Sequence, residues 1–340
     1  MKVSPLEIFL KMIVNFSKIP KEVLKILDSA YITVSNTPEP IITFDAEIYL
    51  FDITNPKYKG VAVKRMKPTN NPELKRKRDK LLKSEFEAFN KFQKAGFYQD
   101  SERIPEIIDY DQKNSILLEE RIYEDDILTN IQKRPESASY FGGRVADWLF
   151  KLHRYNQNEK NMLVNQTSVY KEFIEKLNSD KKIFDNISNE LCTNIKNSVE
   201  TIGEHEFNSI EANLHGDPSP IHFFYIEKDN IYGIDFNAST YDTIYKDCGT
   251  LVSNSYAWLI NTEKGYKKFT NFIEGFKRRY KFKSDRELDG KIFNFCVAKS
   301  EYDKARWENL SGNSEVSINY LNRIDKLLTS PKFSTKSFNN

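Results

Sequence analysis

The sequence predicts an α+β chain of two lobes, a small sheet-plus-helix lobe followed by a larger, mainly helical one. Three observations carry this. Residues 40–66 hold two β-rich runs, PIITFDAEIYLFDI and VAVKRM, separated by the turn cluster TNPKYKG. Beyond residue 138 the apolar residues recur at helical spacing over 138–155, 168–178, 185–202, 251–281 and 285–328. One segment breaks that rule: 213–236 reads as a loop, a short apolar strand, a turn at Glu227–Asn230 and a second strand.

In chain order, residues 1–39 read as an N-terminal helical extension, with Leu6, Phe9, Leu10 and Ile13 on one helical face. The small lobe spans 40–122. Within it, 72–95 is a helix on the repeat Leu74, Leu81, Leu82, Phe86, Phe89 and Phe92, and IPEIIDYD and SILLEERI are two further strands joined at Gln112–Asn114. The helical lobe spans 123–330, with a two-helix insertion at 154–212. Residues 331–340 (PKFSTKSFNN) are polar and read as a disordered tail. A cleft between two such lobes is a common ligand site.

Composition removes several function classes. The 340 residues carry 51 Lys+Arg against 49 Asp+Glu, a formal charge of +2, so bulk electrostatics gives no reason to expect a nucleic-acid partner. Three scattered cysteines fit no zinc or disulfide framework and suit a reducing compartment. Glu7 and Lys11 interrupt the N-terminal apolar residues, and no uncharged run is long enough to span a bilayer. A cytoplasmic protein without a transmembrane segment is expected.

The chemistry concentrates in 215–235. Asp217 lies in His215-Gly216-Asp217, and Asp235 follows 18 residues later in Gly233-Ile234-Asp235-Phe236. A hairpin of that length returns both aspartates to one end of its strands. Two carboxylates at one mouth suit phosphoryl transfer: one accepts the proton of an attacking hydroxyl, the other holds Mg²⁺ against nucleotide phosphates. A chance pair of aspartates in turns would leave the order of the other elements unexplained.

This pattern resembles the catalytic loop of kinase-fold phosphotransferases, most closely the aminoglycoside phosphotransferase and choline kinase group, where HxDxxxxN precedes an apolar-x-Asp motif. The resemblance implies a two-lobe protein-kinase-like fold, with Asp217 as the catalytic aspartate, Asp235 as the metal ligand and Asp247, in Tyr245-Lys246-Asp247-Cys248-Gly249, as a later structural aspartate. One position departs: the family's metal-ligating asparagine would be residue 222, which here is His222. Histidine then phenylalanine at this point is locally similar to lipopolysaccharide core sugar kinases. Imidazole is a poorer ligand for hard Mg²⁺ than an amide oxygen. Three readings stay open: His222 ligates a metal, Mn²⁺ included; it braces the Asp217 loop by a hydrogen bond; or metal binding is impaired and the chain is a pseudokinase.

The resemblance also implies a nucleotide side. Val61-Ala62-Val63-Lys64 supplies a strand lysine for the α and β phosphates. Ser84-Glu85-Phe86-Glu87 offers its carboxylate partner, Glu85 first and Glu87 second. The backbone from Glu119 to Arg121 would meet the adenine edge. Glu124-Asp125-Asp126 would reach a ribose hydroxyl or cap a helix. The first glycine of the chain is Gly60, so no GxGxxG precedes Lys64, and the phosphate-covering loop must come from something like Phe44-Asp45-Ala46-Glu47.

Leu152-His153 resembles the group's helix end before the catalytic loop, yet 61 residues separate His153 from His215. In the resembled small-molecule kinases such an insertion helps to wall the acceptor pocket, and no Ala-Pro-Glu follows Asp235. Two basic runs, 73–83 and 276–286, offer charge for an anionic substrate or are solvated helix faces. The expected activity is therefore ATP-dependent, Mg²⁺-assisted transfer of the γ-phosphate to a hydroxyl of a small molecule, a sugar or amino alcohol, with an anionic acceptor as one form. The alternatives are a protein Ser/Thr kinase and a pseudokinase scaffold.

Overall fold

The computed structural model describes residues 19–55, 57–97, 101–180, 183–184, 187, 189–226, 230–285, 288 and 290–338. The expected N-terminal helical face at Leu6–Ile13 and most of the turn at Glu227–Asn230 lie outside them. The chain divides into two compact units, one running to Glu124 and including Tyr232–Ala238, the other made of Asp125–Ile231 and the chain from Ser239 onward.

The first unit is built on a five-stranded antiparallel sheet of order β1-β2-β3-β6-β5, with β1 Ile41–Ile42, β2 Ala46–Asp52, β3 Gly60–Met66, β5 Ile107–Asp111 and β6 Ile116–Glu120; β4 is the short Glu102–Arg103. Alternation sorts its residues by face. Tyr49, Phe51, Val61, Val63, Ile116 and Leu118 form a core with Val23, Ile26 and Leu27 of helix α1 (Lys21–Ser29). Residues 19–29, expected as an extension outside this lobe, are thus part of its core. Burying a side chain such as Val23 or Leu27 is worth about 1.5–3 kcal/mol, which far exceeds the pull of a nine-residue helix to fray. The register pairs Lys64 with Ile48 and Leu117, and Ala62 with Leu50 and Glu119, so these residues share the opposite face.

Helix α2 (Pro72–Lys94) starts where Asn71 caps it, its Oδ1 accepting from the amides of Glu73 (3.0 Å) and Leu74 (3.1 Å), with Pro72 in the first turn. Its buried stripe is Arg78, Leu82, Glu85, Ala88, Phe89 and Phe92. Phe236 packs edge-on against Phe89 and Phe92, with ring centroids 4.9 and 5.1 Å apart.

The second unit is mainly helical. Its helices are α3 Ile127–Lys133, α4 Ala138–Arg154, α5 Ser168–Ser179, α6 Asn189–Gly203, α7 Ile244–Leu259, α8 Gly265–Ser284, α9 Lys291–Leu310 and α10 Ser314–Thr329. Helices α4 and α8 cross closely at glycines: a Cβ on Gly142 would lie 2.0 Å from the Phe272 carbonyl oxygen, and one on Gly275 2.0 Å from that of Ser139. The insertion at 154–212 holds more than the two expected helices. Strands β7 Asn158–Leu163 and β8 Glu206–Asn213 flank them and form an antiparallel sheet of order β11-β8-β7 with β11 Tyr241–Thr243. Strands β9 Phe223–Ile226 and β10 Asn230–Gly233 are the expected hairpin. Residues 331–338 differ from the expected disordered tail: Phe333 and Phe338 are buried, and Phe338 lies against Tyr256 and Phe269. Two aromatics outweigh the polar residues around them.

Candidate active site

In the first unit the sheet and α2 bring three charged residues together. The Lys64 ammonium donates to both oxygens of Glu85 (3.0 and 2.7 Å) and to Oδ1 of Asp235 (2.9 Å). Glu85 belongs to the buried stripe of α2. Glu87 does not, and its carboxylate faces solvent 3.7 Å from Lys83. Burial alone would lower the Lys64 pKa; the charges of Glu85 and Asp235 outweigh it and hold the ammonium well above the usual lysine range. Asp235 adopts a left-handed backbone (φ 64°), and its carboxylate also accepts from Asn237 Nδ2 at 2.8 Å. A non-glycine residue holds that conformation at a cost, so the two hydrogen bonds and the buried Phe236 ring fix it.

Glu119 stands on the same sheet face. Its Oε2 is buried without a hydrogen-bond partner. Burial, reinforced by the Glu85 charge, pushes its carboxyl up to about 8, against the pull of Lys64. The expected adenine-facing backbone is partly engaged within the sheet: the Glu120 amide donates to Glu106 O (2.9 Å) and the Arg121 amide to Gly60 O (3.1 Å). The Arg121 N–H is thus not available to a ligand. Its guanidinium binds Asp52 (2.8 Å) and lies over the Tyr123 ring. The turn before β2 is shorter than expected, because Ala46 and Glu47 already belong to β2. Its tip is closed by Thr43 N to Ala46 O (2.9 Å) and by Asp45 to Arg78 of α2 (2.9 Å).

In the second unit, His215-Gly216-Asp217 follows β8. Gly216 has φ +94°, which a side chain would strain. The loop is held from below by Asp247 of α7, fully buried, which accepts from the amides of His215 (2.7 Å) and Gly216 (2.8 Å) and from His153 Nε2 (3.0 Å). His153 ends α4, and its Nδ1 meets the Tyr280 hydroxyl at 2.7 Å. Burial would raise the Asp247 pKa; the His153 hydrogen bond and charge, with His215 and the Gly216 amide, reverse this and hold it below the usual range.

His222 Nδ1 lies 2.8 Å from the Asp217 carbonyl oxygen. A carbonyl only accepts, so Nδ1 carries the proton and Nε2 keeps its lone pair in the neutral ring. Bracing the loop and ligating a metal are thus compatible, and a ligating histidine commonly donates its other N–H in this way. Among the described residues no group of three His, Cys, Asp or Glu side chains is placed to hold a metal. Asp126, from the acidic cluster, caps α3 by accepting from Thr129 N (2.6 Å).

Two residues that the sequence did not single out touch the Asp217 loop or its partners. Asn254 Nδ2 donates to Asp217 Oδ1 (2.8 Å) and to Pro218 O (3.0 Å), and Lys304 Nζ donates to Asn254 Oδ1 (2.6 Å). Their helices lie side by side: Gly249 faces Cys296 and Val297, Ser253 bonds Glu301, and Asn254 bonds Lys304. One turn further along this register come Trp258, 47% exposed, and Trp307, 64% exposed. The available signal was the spacing Asp247, Asn254, Trp258 on one face of α7; Lys304, among Glu301 and Asp303, carried none.

The fold is protein-kinase-like, that of the small-molecule kinases grouped around choline kinase and the aminoglycoside phosphotransferases. Choline kinase LicA from Streptococcus pneumoniae superposes with a TM-score of 0.57 at 14% identity, covering 91% of this chain and 98% of that one. A thermostable aminoglycoside phosphotransferase APH(4)-Ia, in a ternary complex with AMP-PNP and hygromycin B, gives 0.59 at 12% identity over 91% and 98%. Aminoglycoside phosphotransferase APH(2'')-Ib with ADP bound gives 0.55 at 14% over 94% and 99%. No protein-family model and no curated protein sequence matches the chain. At these identities the likeness is one of fold.

Proposed function

We propose that the protein is an ATP-dependent kinase that phosphorylates a hydroxyl of a small molecule. The observation that carries this reading is the Lys64–Glu85–Asp235 cluster, which joins the strand lysine, the helix carboxylate and the aspartate after the hairpin. Lys64 binds the α and β phosphates, and Glu85 fixes it. Asp217 accepts the proton of the acceptor hydroxyl as its oxygen bonds to the γ-phosphorus. The bond from that phosphorus to the β–γ bridging oxygen breaks, and ADP leaves. The Asp235 carboxylate is a hard oxygen donor suited to Mg²⁺ and would hold the metal; His222 Nε2, a softer donor, is a second candidate ligand. A metal bound there would neutralise phosphate charge.

Trp258 and Trp307 support an acceptor with an apolar face, such as a sugar ring. Their indoles, 47% and 64% exposed on α7 and α9, offer area for stacking. The peptide-binding Ala-Pro-Glu segment of protein kinases does not follow Asp235. A cytoplasmic location, where ATP and Mg²⁺ are supplied, accompanies this reading. The test is a screen of hydroxyl compounds, sugars and amino alcohols included, with ATP consumption as readout, in wild type and Asp217→Asn. The reading requires an acceptor-dependent rate in the wild type and its near-complete loss in a folded Asp217→Asn protein. Near-normal turnover by that variant would remove Asp217 as the base.

A further inference from the structure

Asn254 uses every polar atom of its amide. Both Nδ2 hydrogens go to the catalytic loop, at Asp217 and Pro218, and Oδ1 receives Lys304. An ammonium has three donors and no acceptor, so it accepts only one orientation of that amide: oxygen toward Lys304, NH₂ toward the loop. Turned over, the amide would set its oxygen against the Asp217 carboxylate and the Pro218 carbonyl, and its NH₂ against the ammonium. Lys304 is suited to this restricted task. Burial pulls its pKa below the usual lysine range, although Glu301, Asp217 and Asp303 act in the other direction. Those neighbours on α9 have their own cations: Glu301 binds Arg323 of α10, and Asp303 binds Lys299 and Lys176. Among the described residues the Asn254 amide oxygen is the acceptor that Lys304 reaches.

We propose that Lys304 is a positioning residue that acts through Asn254: it locks the amide so that the amide holds the Asp217 carboxylate in one rotamer, with its second oxygen left to receive the acceptor's proton. The structural half of this inference stands on the hydrogen bonds alone; the catalytic half rests on Asp217 being the base. A lysine that merely filled space would leave the amide's orientation and the rate of proton removal untouched. A lysine that bound an anionic acceptor would act on the acceptor's KM.

Two measurements decide it. The first follows hydrogen exchange of the Asn254 side-chain amide by NMR on the full chain, with the signal assigned by its loss in Asn254→Ala. Lys304→Met is expected to speed that exchange about tenfold or more as the bonded fraction falls, and Lys304→Arg, which keeps a donor, is expected to stay near wild type. Unchanged protection in Lys304→Met overturns the proposal. The second follows ATP turnover with Mg²⁺, using water as the acceptor. Lys304→Met and Asn254→Ala should each lower kcat by about ten- to a hundredfold with the KM for ATP unchanged, and the double variant should be no slower than Asn254→Ala alone. Effects that multiply in the double variant, or a change confined to KM, overturn it. A wild-type protein with no ATP turnover would instead sink the kinase reading, and the exchange experiment would still decide the role of Lys304.

Discussion

The ammonium of Lys64 stands 2.9 Å from the carboxylate of Asp235, a residue 171 positions later in the chain, and binds Glu85 at the same time. Two carboxylates share one cation, and the Glu85 side chain is 3% exposed. Removing the lysine alone leaves a buried charge without its counter-ion. Lys64→Met should cost about 3–5 kcal/mol in urea unfolding, and Lys64→Met with Glu85→Leu should recover part of that loss. Glu85→Gln should weaken ATP binding, whereas Glu87→Gln should not. A Lys64→Met protein as stable as wild type would show that the cluster contributes nothing to the fold.

Glu119 ties stability to pH. Its folded-state pKa is raised from 4.5 to about 8, so between those values the unfolded chain releases a proton that the folded one keeps. At this group the folded state binds more protons in that window, so its contribution to stability falls as pH rises through it. Glu119→Gln, which needs no proton to stay neutral, should match wild type near pH 5 and unfold at a higher temperature near pH 8. Parallel melting curves for the two proteins across pH 5–8 would refute the assignment.

Asp247 acts in the opposite sense. Its pKa is held below the unfolded value, so its contribution is complete above about pH 4 and disappears as pH falls through the folded-state value. Asp247→Asn keeps one oxygen for three donors and should lose about 1–3 kcal/mol together with most turnover, because the loop that presents Asp217 loses its anchor. Calorimetry and rate measurements on the same preparation test both parts.

The metal preference reads out His222. If Nε2 ligates, His222→Asn replaces a nitrogen donor by an oxygen, and the ratio of activity with Mn²⁺ to that with Mg²⁺ should fall. If the ring only braces the loop, the ratio stays constant while both rates change alike.

Where a pattern was local, it could be read. The alternation in Val61-Ala62-Val63-Lys64 placed Lys64 on a sheet face, and the resemblance of Ser84-Glu85-Phe86-Glu87 to a known helix motif favoured Glu85 over Glu87. Strands β7 and β8 escaped notice because Asn158–Lys160 are exposed and polar, and only the far end of β8 is buried, so neither has the alternation of a half-buried strand. The anchoring of the His215–Asp217 loop by His153 and Asp247 joins residues 94 positions apart, and the bond from Asn254 to Lys304 spans 50. Side chains that meet only through tertiary packing leave no period in the sequence. The tail was misjudged from its average composition, when two aromatics decided its fate.

The first unit is interrupted in sequence: after Glu124 the chain enters the second unit and comes back only for Tyr232–Ala238, which bring Asp235 and Phe236. During synthesis, the sheet and α2 therefore leave the ribosome without the ring that covers Phe89 and Phe92 and without the second carboxylate for Lys64. At 5–20 residues per second that interval lasts roughly five to twenty seconds. Through it the aromatic face of α2 is open to water, to chaperones and to other nascent chains. A gene fragment ending at Glu124 would hold the protein in that unfinished condition for good.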